Sequence, residues 1–88
     1  MAYQIIMGRQ PEKMLHRLPQ NVGRRLDKAI LKLAEDPRPV GYRKLVGFTD
    51  LYRIRVGDWR VVYRIEEDRV VIFVVRVAPR SSAYQHLS

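Results

Sequence analysis

Leu51-Tyr52-Arg53-Ile54-Arg55-Val56-Gly57-Asp58-Trp59-Arg60-Val61-Val62-Tyr63-Arg64-Ile65 is the stretch that decides the fold. Two runs rich in β-branched and aromatic residues flank a Gly-Asp pair, the signature of antiparallel strands joined by a two-residue turn. That turn sets the register, with Val56 facing Trp59 and Arg55 facing Arg60. Side chains alternate along a strand, so Arg53, Arg55, Arg60 and Arg64 share one face. Tyr52, Ile54, Val56, Trp59, Val61, Tyr63 and Ile65 take the other, which must be the core side. Like charges set directly opposite one another destabilise a hairpin. Arg55 across from Arg60 therefore points to an anion received on this face. A merely solvated face brings mixed signs, yet the only acidic residue between Leu51 and Ile65 is Asp58 in the turn.

Outward from the hairpin, Glu66 to Asp68 turn the chain and Arg69 to Val77 form the last long strand. Its apolar run Val70-Val71-Ile72-Phe73-Val74-Val75 lacks alternation, which places it inside the sheet with both faces covered. Upstream, Pro39 to Gly47 reads as a loop. Before it, Val22, Leu26, Ala29, Ile30 and Leu33 recur at helical spacing, predicting a helix from about Pro19–Asn21 to Glu35. Asp36-Pro37 ends it, because a proline disfavours helix in the residue before it. Met14, Leu15 and Leu18 stripe an earlier helix that opens around Gln10-Pro11-Glu12. Residues 2–7 form the first strand, and Ser81 or Ser82 is expected to cap a short C-terminal helical turn. The expected fold is α+β, a single domain over residues 1–88. Its order is β-α-α-β-β-β, with two N-terminal helices packed on a small, largely antiparallel four-stranded sheet.

Charge supplies the first functional clue. Seventeen Lys and Arg against nine Asp and Glu give a net +8, and thirteen of the cations are arginine. Arginine offers a planar fork of donors that fits phosphate oxygens and stacks on bases, so the balance points to nucleic acid. No apolar run is long enough to span a bilayer. The first residues do not read as a signal peptide, and the absence of cysteine fits a reducing, cytoplasmic setting. His16 and His86 are too few and too far apart for a metal site, and the carboxylates are scattered; no metal or cofactor is expected. Tyr3, Tyr42, Tyr52 and Tyr63 read as core or core-edge residues, whereas Tyr84, close after Arg80, does not.

Lys44-Leu45-Val46-Gly47 leading into the hairpin string, together with Arg76-Val77-Ala78-Pro79-Arg80-Ser81-Ser82-Ala83-Tyr84, resembles the central and C-terminal signatures of RelE-type toxins. The resemblance covers essentially the whole chain. It implies a toxin that cleaves mRNA in the ribosomal decoding site and is neutralised by a RelB-like antitoxin. Its partners would be the ribosome, mRNA and an antitoxin with an acidic or amphipathic helix. The wider superfamily also holds ParE-like gyrase inhibitors, and a catalytically weak member would keep the same fold.

In the chemistry so implied, the RNA 2′-hydroxyl attacks the adjacent phosphodiester without a metal. The protein supplies a base, charge stabilisation and an acid. By matching position, the resemblance assigns catalysis to Arg53, Arg55, Arg60, Arg80 and Tyr84, and RNA binding is expected of Arg64, Lys44 and Arg43. Arg60 and Arg80 are both expected to face solvent and phosphate. Familiar members carry lysines where this chain has Arg53 and Arg55, and arginine does not give up its proton. Many also carry a histidine where this chain has Pro79. Within that frame Tyr84 is the titrating candidate, and neighbouring arginines would have to lower its ordinary pKa of about 10.

Overall fold

Pro19 separates the two helices, and its effect is local. The chain is described here by a computed structural model covering residues 2–83. Helix α1 spans Arg9–Arg17, and its C-cap, Leu18, is extended at φ −80°, ψ 153°, the conformation a following proline imposes. Pro19 is then the N-cap of helix α2, Gln20–Leu33, and its carbonyl accepts from the Gly23 N–H at 3.0 Å. Leu26, Ile30 and Leu33 bury the face of α2 that the apolar spacing marked out. The helix ends two residues before the expected Glu35. Residues 34–36 form a turn whose amides still reach Leu31 and Lys32, before the Asp36 carboxylate accepts from the Arg38 N–H at 3.1 Å. Pro11 sits at the third position of α1, within its first turn. The first-turn amides have no helical partner, so the proline costs no bond there.

The sheet has five strands, one more than expected. They are β1 (Gln4–Met7), β2 (Arg43–Lys44), β3 (Leu51–Val56), β4 (Trp59–Glu66) and β5 (Val71–Pro79), in the spatial order β1-β5-β4-β3-β2. The strand missed from the sequence is β2, two residues inside the segment read as a loop. It pairs Arg43 with Arg53 and Lys44 with Tyr52, too short to show any alternation. β1 runs parallel to β5, and the other pairings are antiparallel. β5 is interior, as its unbroken apolar run indicated.

Both helices lie on one face of the sheet. Leu26, Ile30 and Leu33 of α2 pack there with Ile54, Val61, Tyr63, Ile65, Ile72, Val74 and Val77, and Met14 and Leu15 of α1 add to the cluster. Where β1 stops at Met7, α1 takes over the edge of β5. The Gln10 amide donates to the Val77 carbonyl and accepts from the Val77 N–H, both at 2.9 Å, as a neighbouring strand would. A short 3₁₀ turn, Arg80–Ser82, closes the described chain. Its N-cap position is Pro79, and the helical turn expected to be capped by Ser81 or Ser82, through Ala83, Tyr84 and Leu87, lies mostly outside the described residues.

Candidate nucleic-acid interface

The hairpin forms as its sequence dictates. Gly57 has φ 61°, which a two-residue turn of this kind requires and glycine adopts without cost. The register pairs Val56 with Trp59, Arg55 with Arg60, Arg53 with Val62 and Leu51 with Arg64. The face turned away from the helices is thus built in transverse rows. Arg55, Arg60 and Ala78 form the row next to the turn. Arg43, Arg53, Val62 and Arg76 form the second, across four strands. Leu51, Arg64, Phe73 and Ile6 form the third. Neighbouring strands lie about 5 Å apart, so the cations within a row are close neighbours.

Arg76 belongs to this face because of a β-bulge. Tyr63 pairs with Val74 and Val62 with Arg76, leaving Val75 as an extra residue on β5. Counting in twos from Phe73 would put Arg76 in the core beside Ile72 and Val74. The bulge moves it across instead. Sequence reasoning missed this residue, and the signal available was that same conflict, an unpaired cation at a core parity.

Electrostatics divide the face. The third row is neutralised: Arg64 lies 3.8 Å from Asp50 and 3.5 Å from Glu66, and its guanidinium sits 5.3 Å from the Phe73 ring centroid. These carboxylates stand just outside the hairpin stretch, which is why the hairpin alone looked free of acid. Among the described residues no carboxylate pairs with a cation of the first two rows. Arg55 is exposed, and Arg53 is half-buried with Nη1 donating to the Gly41 carbonyl at 3.3 Å. Arg60 departs from expectation. It is only 6% exposed, with Nη1 donating to the Trp59 carbonyl at 3.2 Å, so it is part of the packed surface as well as its charge. Arg80 is exposed at the open end, its backbone N–H donating to the Asp58 carbonyl at 2.9 Å. Asp58, Pro79, Arg80 and Ser81 line an open depression of about 430 Å³ there.

A family model for the ParE toxin of the type II toxin–antitoxin system parDE matches residues 9–84. The mRNA interferase toxin RelE of Escherichia coli is 32% identical over 82 residues, covering 91% of this chain and 85% of that protein. The chain belongs to the RelE-type toxins of the RelE/ParE superfamily. The RelE–RelB complex of Pyrococcus horikoshii matches with a TM-score of 0.81 and 34% identity, over 94% of this chain and all of that one. The E. coli RelBE toxin–antitoxin complex matches with a TM-score of 0.78 and 30% identity, over 89% of this chain and 96% of that one.

Of the residues singled out from the sequence, the fold brings Arg53, Arg55, Arg60 and Arg64 onto one face, with Arg80 at its end. Arg43 joins them through β2. Lys44 does not: its register with Tyr52 puts it on the opposite parity, exposed at the sheet edge. Tyr84 and His86 lie outside the described residues. Two of the remaining phenols are poorly placed to lose a proton. The Tyr3 hydroxyl donates to Glu67, which raises its pKa, and burial pushes the Tyr63 phenol well above its ordinary range. No group of three or more His, Asp or Glu side chains converges among the described residues. In the first two rows Arg43, Arg53 and Arg60 are each held to a backbone carbonyl. With exposed Arg55 they can offer guanidinium donors to an anion, the kind of charge that stabilises a phosphorane.

Proposed function

We propose that this chain is the toxin of a type II toxin–antitoxin pair and acts as a ribosome-dependent endoribonuclease on mRNA in the decoding site. Arg55 set opposite Arg60, in rows with no acidic partner, is the observation that carries this reading. A folded chain tolerates that repulsion where an anion completes the site. The similarity to a protein described as an mRNA interferase supports the RNA phosphodiester as that anion. Attack by the 2′-hydroxyl leaves a cyclic phosphate and a 5′-hydroxyl. In that step the arginines stabilise the phosphorane, Tyr84 is assigned removal of the 2′-hydroxyl proton, and Arg80 either stabilises charge or supplies the proton that the 5′ leaving oxygen takes up. A site rich in fixed cations and poor in bases suits a reaction whose geometry is supplied by a larger partner.

The neutralising partner is a RelB-like antitoxin, supported by the two complexes that the fold resembles. A +8 chain with an exposed arginine face is matched by an acidic or amphipathic helix, which speeds encounter and fixes orientation. A second reading, a ParE-like gyrase inhibitor acting by binding, is favoured by the family model's own description. One experiment separates them. Purified protein is added to programmed ribosomes and to free mRNA, cut ends are mapped, and gyrase supercoiling is assayed in parallel. Cuts confined to ribosome-bound mRNA are expected. Efficient cutting of naked RNA removes the ribosome from the proposal, and supercoiling defects without RNA cleavage replace it with the gyrase reading.

A further inference from the structure

We propose that Arg76 is a positioning residue, whose guanidinium fork fastens the Arg80–Ser82 turn to the sheet and so sets where Arg80 stands. The inference rests on the endoribonuclease reading for its kinetic arm only. Arg76 Nε and Nη2 both donate to the Ser82 carbonyl, at 3.3 and 3.2 Å. At the other end of the turn, the Arg80 N–H donates to the Asp58 carbonyl at 2.9 Å. Arg80 is therefore pinned on both sides, once to the hairpin turn and once to the middle of β5. The turn needs both pins. It is three residues long and carries no side-chain cap, so it has little stability of its own.

Placement and chemistry agree. The bulge at Val75 turns Arg76 toward the face where the turn lies, and Ala83, just past the fastened carbonyl, is fully buried. Adding one more arginine to a row already holding Arg43 and Arg53 costs repulsion, which a contact must offset. Two donors converging on one oxygen require the rigid fork of arginine, since an ammonium is a single point on a flexible stem. Arg76 thus turns two of its donors inward to a carbonyl, while Arg80 remains exposed to meet phosphate.

The test uses Arg76→Gln and Arg76→Lys in the full chain. Trypsin cutting after Arg80 reports on the turn without reference to activity. Both variants should be cut about tenfold faster or more than wild type, because local opening becomes easier while the global melting temperature stays close to wild type. In single-turnover cleavage on programmed ribosomes, both should lose about 10²-fold in rate with ribosome affinity little changed, the effect of a misplaced rather than a missing group. In an Arg80→Ala background, Arg76→Gln should add little further loss, since the two residues act as one unit.

Cutting after Arg80 as slow as in wild type would overturn the fastening. Recovery of the rate by Arg76→Lys would make Arg76 a simple charge, and full additivity with Arg80→Ala would show that it acts elsewhere. Should wild type leave ribosome-bound mRNA intact, the nuclease reading fails, and the trypsin result still decides whether Arg76 holds the turn.

Discussion

The Tyr63 hydroxyl donates a 2.6 Å hydrogen bond to the Pro37 carbonyl, tying the fully buried centre of β4 to the segment that leaves α2. Tyr63→Phe keeps the ring and removes only that bond, so the variant should lose about 1–3 kcal/mol, the cost of a carbonyl left unpaired. The pH dependence follows from burial, which raises the phenol's pKa in the folded state. A raised pKa contributes stability that is complete below the unfolded value of about 10 and is lost as pH climbs above it. The gap between wild type and Tyr63→Phe should therefore narrow as pH rises past about 10. Urea midpoints at pH 8 and in the alkaline range check this, and a constant gap would mean that the phenol titrates alike in both states.

At the acid end the informative pair is Glu67 with Arg38. The Arg38 guanidinium donates to the carboxylate at 2.9 Å and the Tyr3 hydroxyl adds a second bond at 3.1 Å, and together they hold the Glu67 pKa below its ordinary value. A lowered pKa contributes stability above the unfolded value, lost as pH falls through the folded one. Glu67→Gln should accordingly lower the melting temperature at neutral pH, and its difference from wild type should shrink as pH falls through and below the ordinary carboxylate range. The effect should also shrink with added salt, because both side chains are largely exposed.

Two glycines should respond to alanine with opposite signs. A Cβ on Gly8 would stand 2.8 Å from the Val74 carbonyl oxygen, which already accepts the Gly8 N–H at 2.8 Å. Either β1 or the start of α1 must move, and Gly8→Ala should cost about 1–3 kcal/mol. Gly23 lies inside α2, where the nearest atom to an added Cβ, the Leu15 carbonyl oxygen, is 3.7 Å away. Gly23→Ala should stabilise by about 0.5–1 kcal/mol. Thermal melts of the pair decide it, and equal shifts would show that the β1–β5 crossing is not held at this contact.

The legible parts of the molecule were those governed by local rules. Gly57-Asp58 fixes a turn, the turn fixes a register, and the register places Arg53, Arg55, Arg60 and Arg64 together without knowledge of the rest of the chain. The helical face of Leu26, Ile30 and Leu33 is legible for the same reason. What failed to show depends on distant partners. Arg43 becomes part of the cationic face only because β3 offers an edge to a two-residue strand. The extra Val75 moves Arg76 from core parity to surface parity, which no alternation within β5 reveals. Burial of Arg60 likewise needs the strands on both sides of it, since alternation assigns a face and not a depth.

That difference in depth separates Arg55 from Arg60, which otherwise look equivalent across the hairpin. Arg55 is exposed and faces a like charge. Arg55→Ala should leave stability unchanged or raise it by up to about 1 kcal/mol, the scale of a directly opposed pair. On the nuclease reading it should also slow single-turnover cleavage by about 10²–10³, as loss of a preorganised charge does. Arg60 is 6% exposed, so its stem contributes packing as well as charge. Arg60→Ala should then lose both rate and stability. Arg60→Met, which restores an unbranched apolar stem without the guanidinium, should recover most of the stability and none of the rate. Urea midpoints and cleavage on programmed ribosomes, measured for the same three variants, keep the two effects apart. Stability unaffected by Arg60→Ala would mean that its stem packs against nothing of consequence. Cleavage at the wild-type rate by Arg60→Met would remove its charge from the reaction, leaving Arg55 and Arg80 to meet the phosphate.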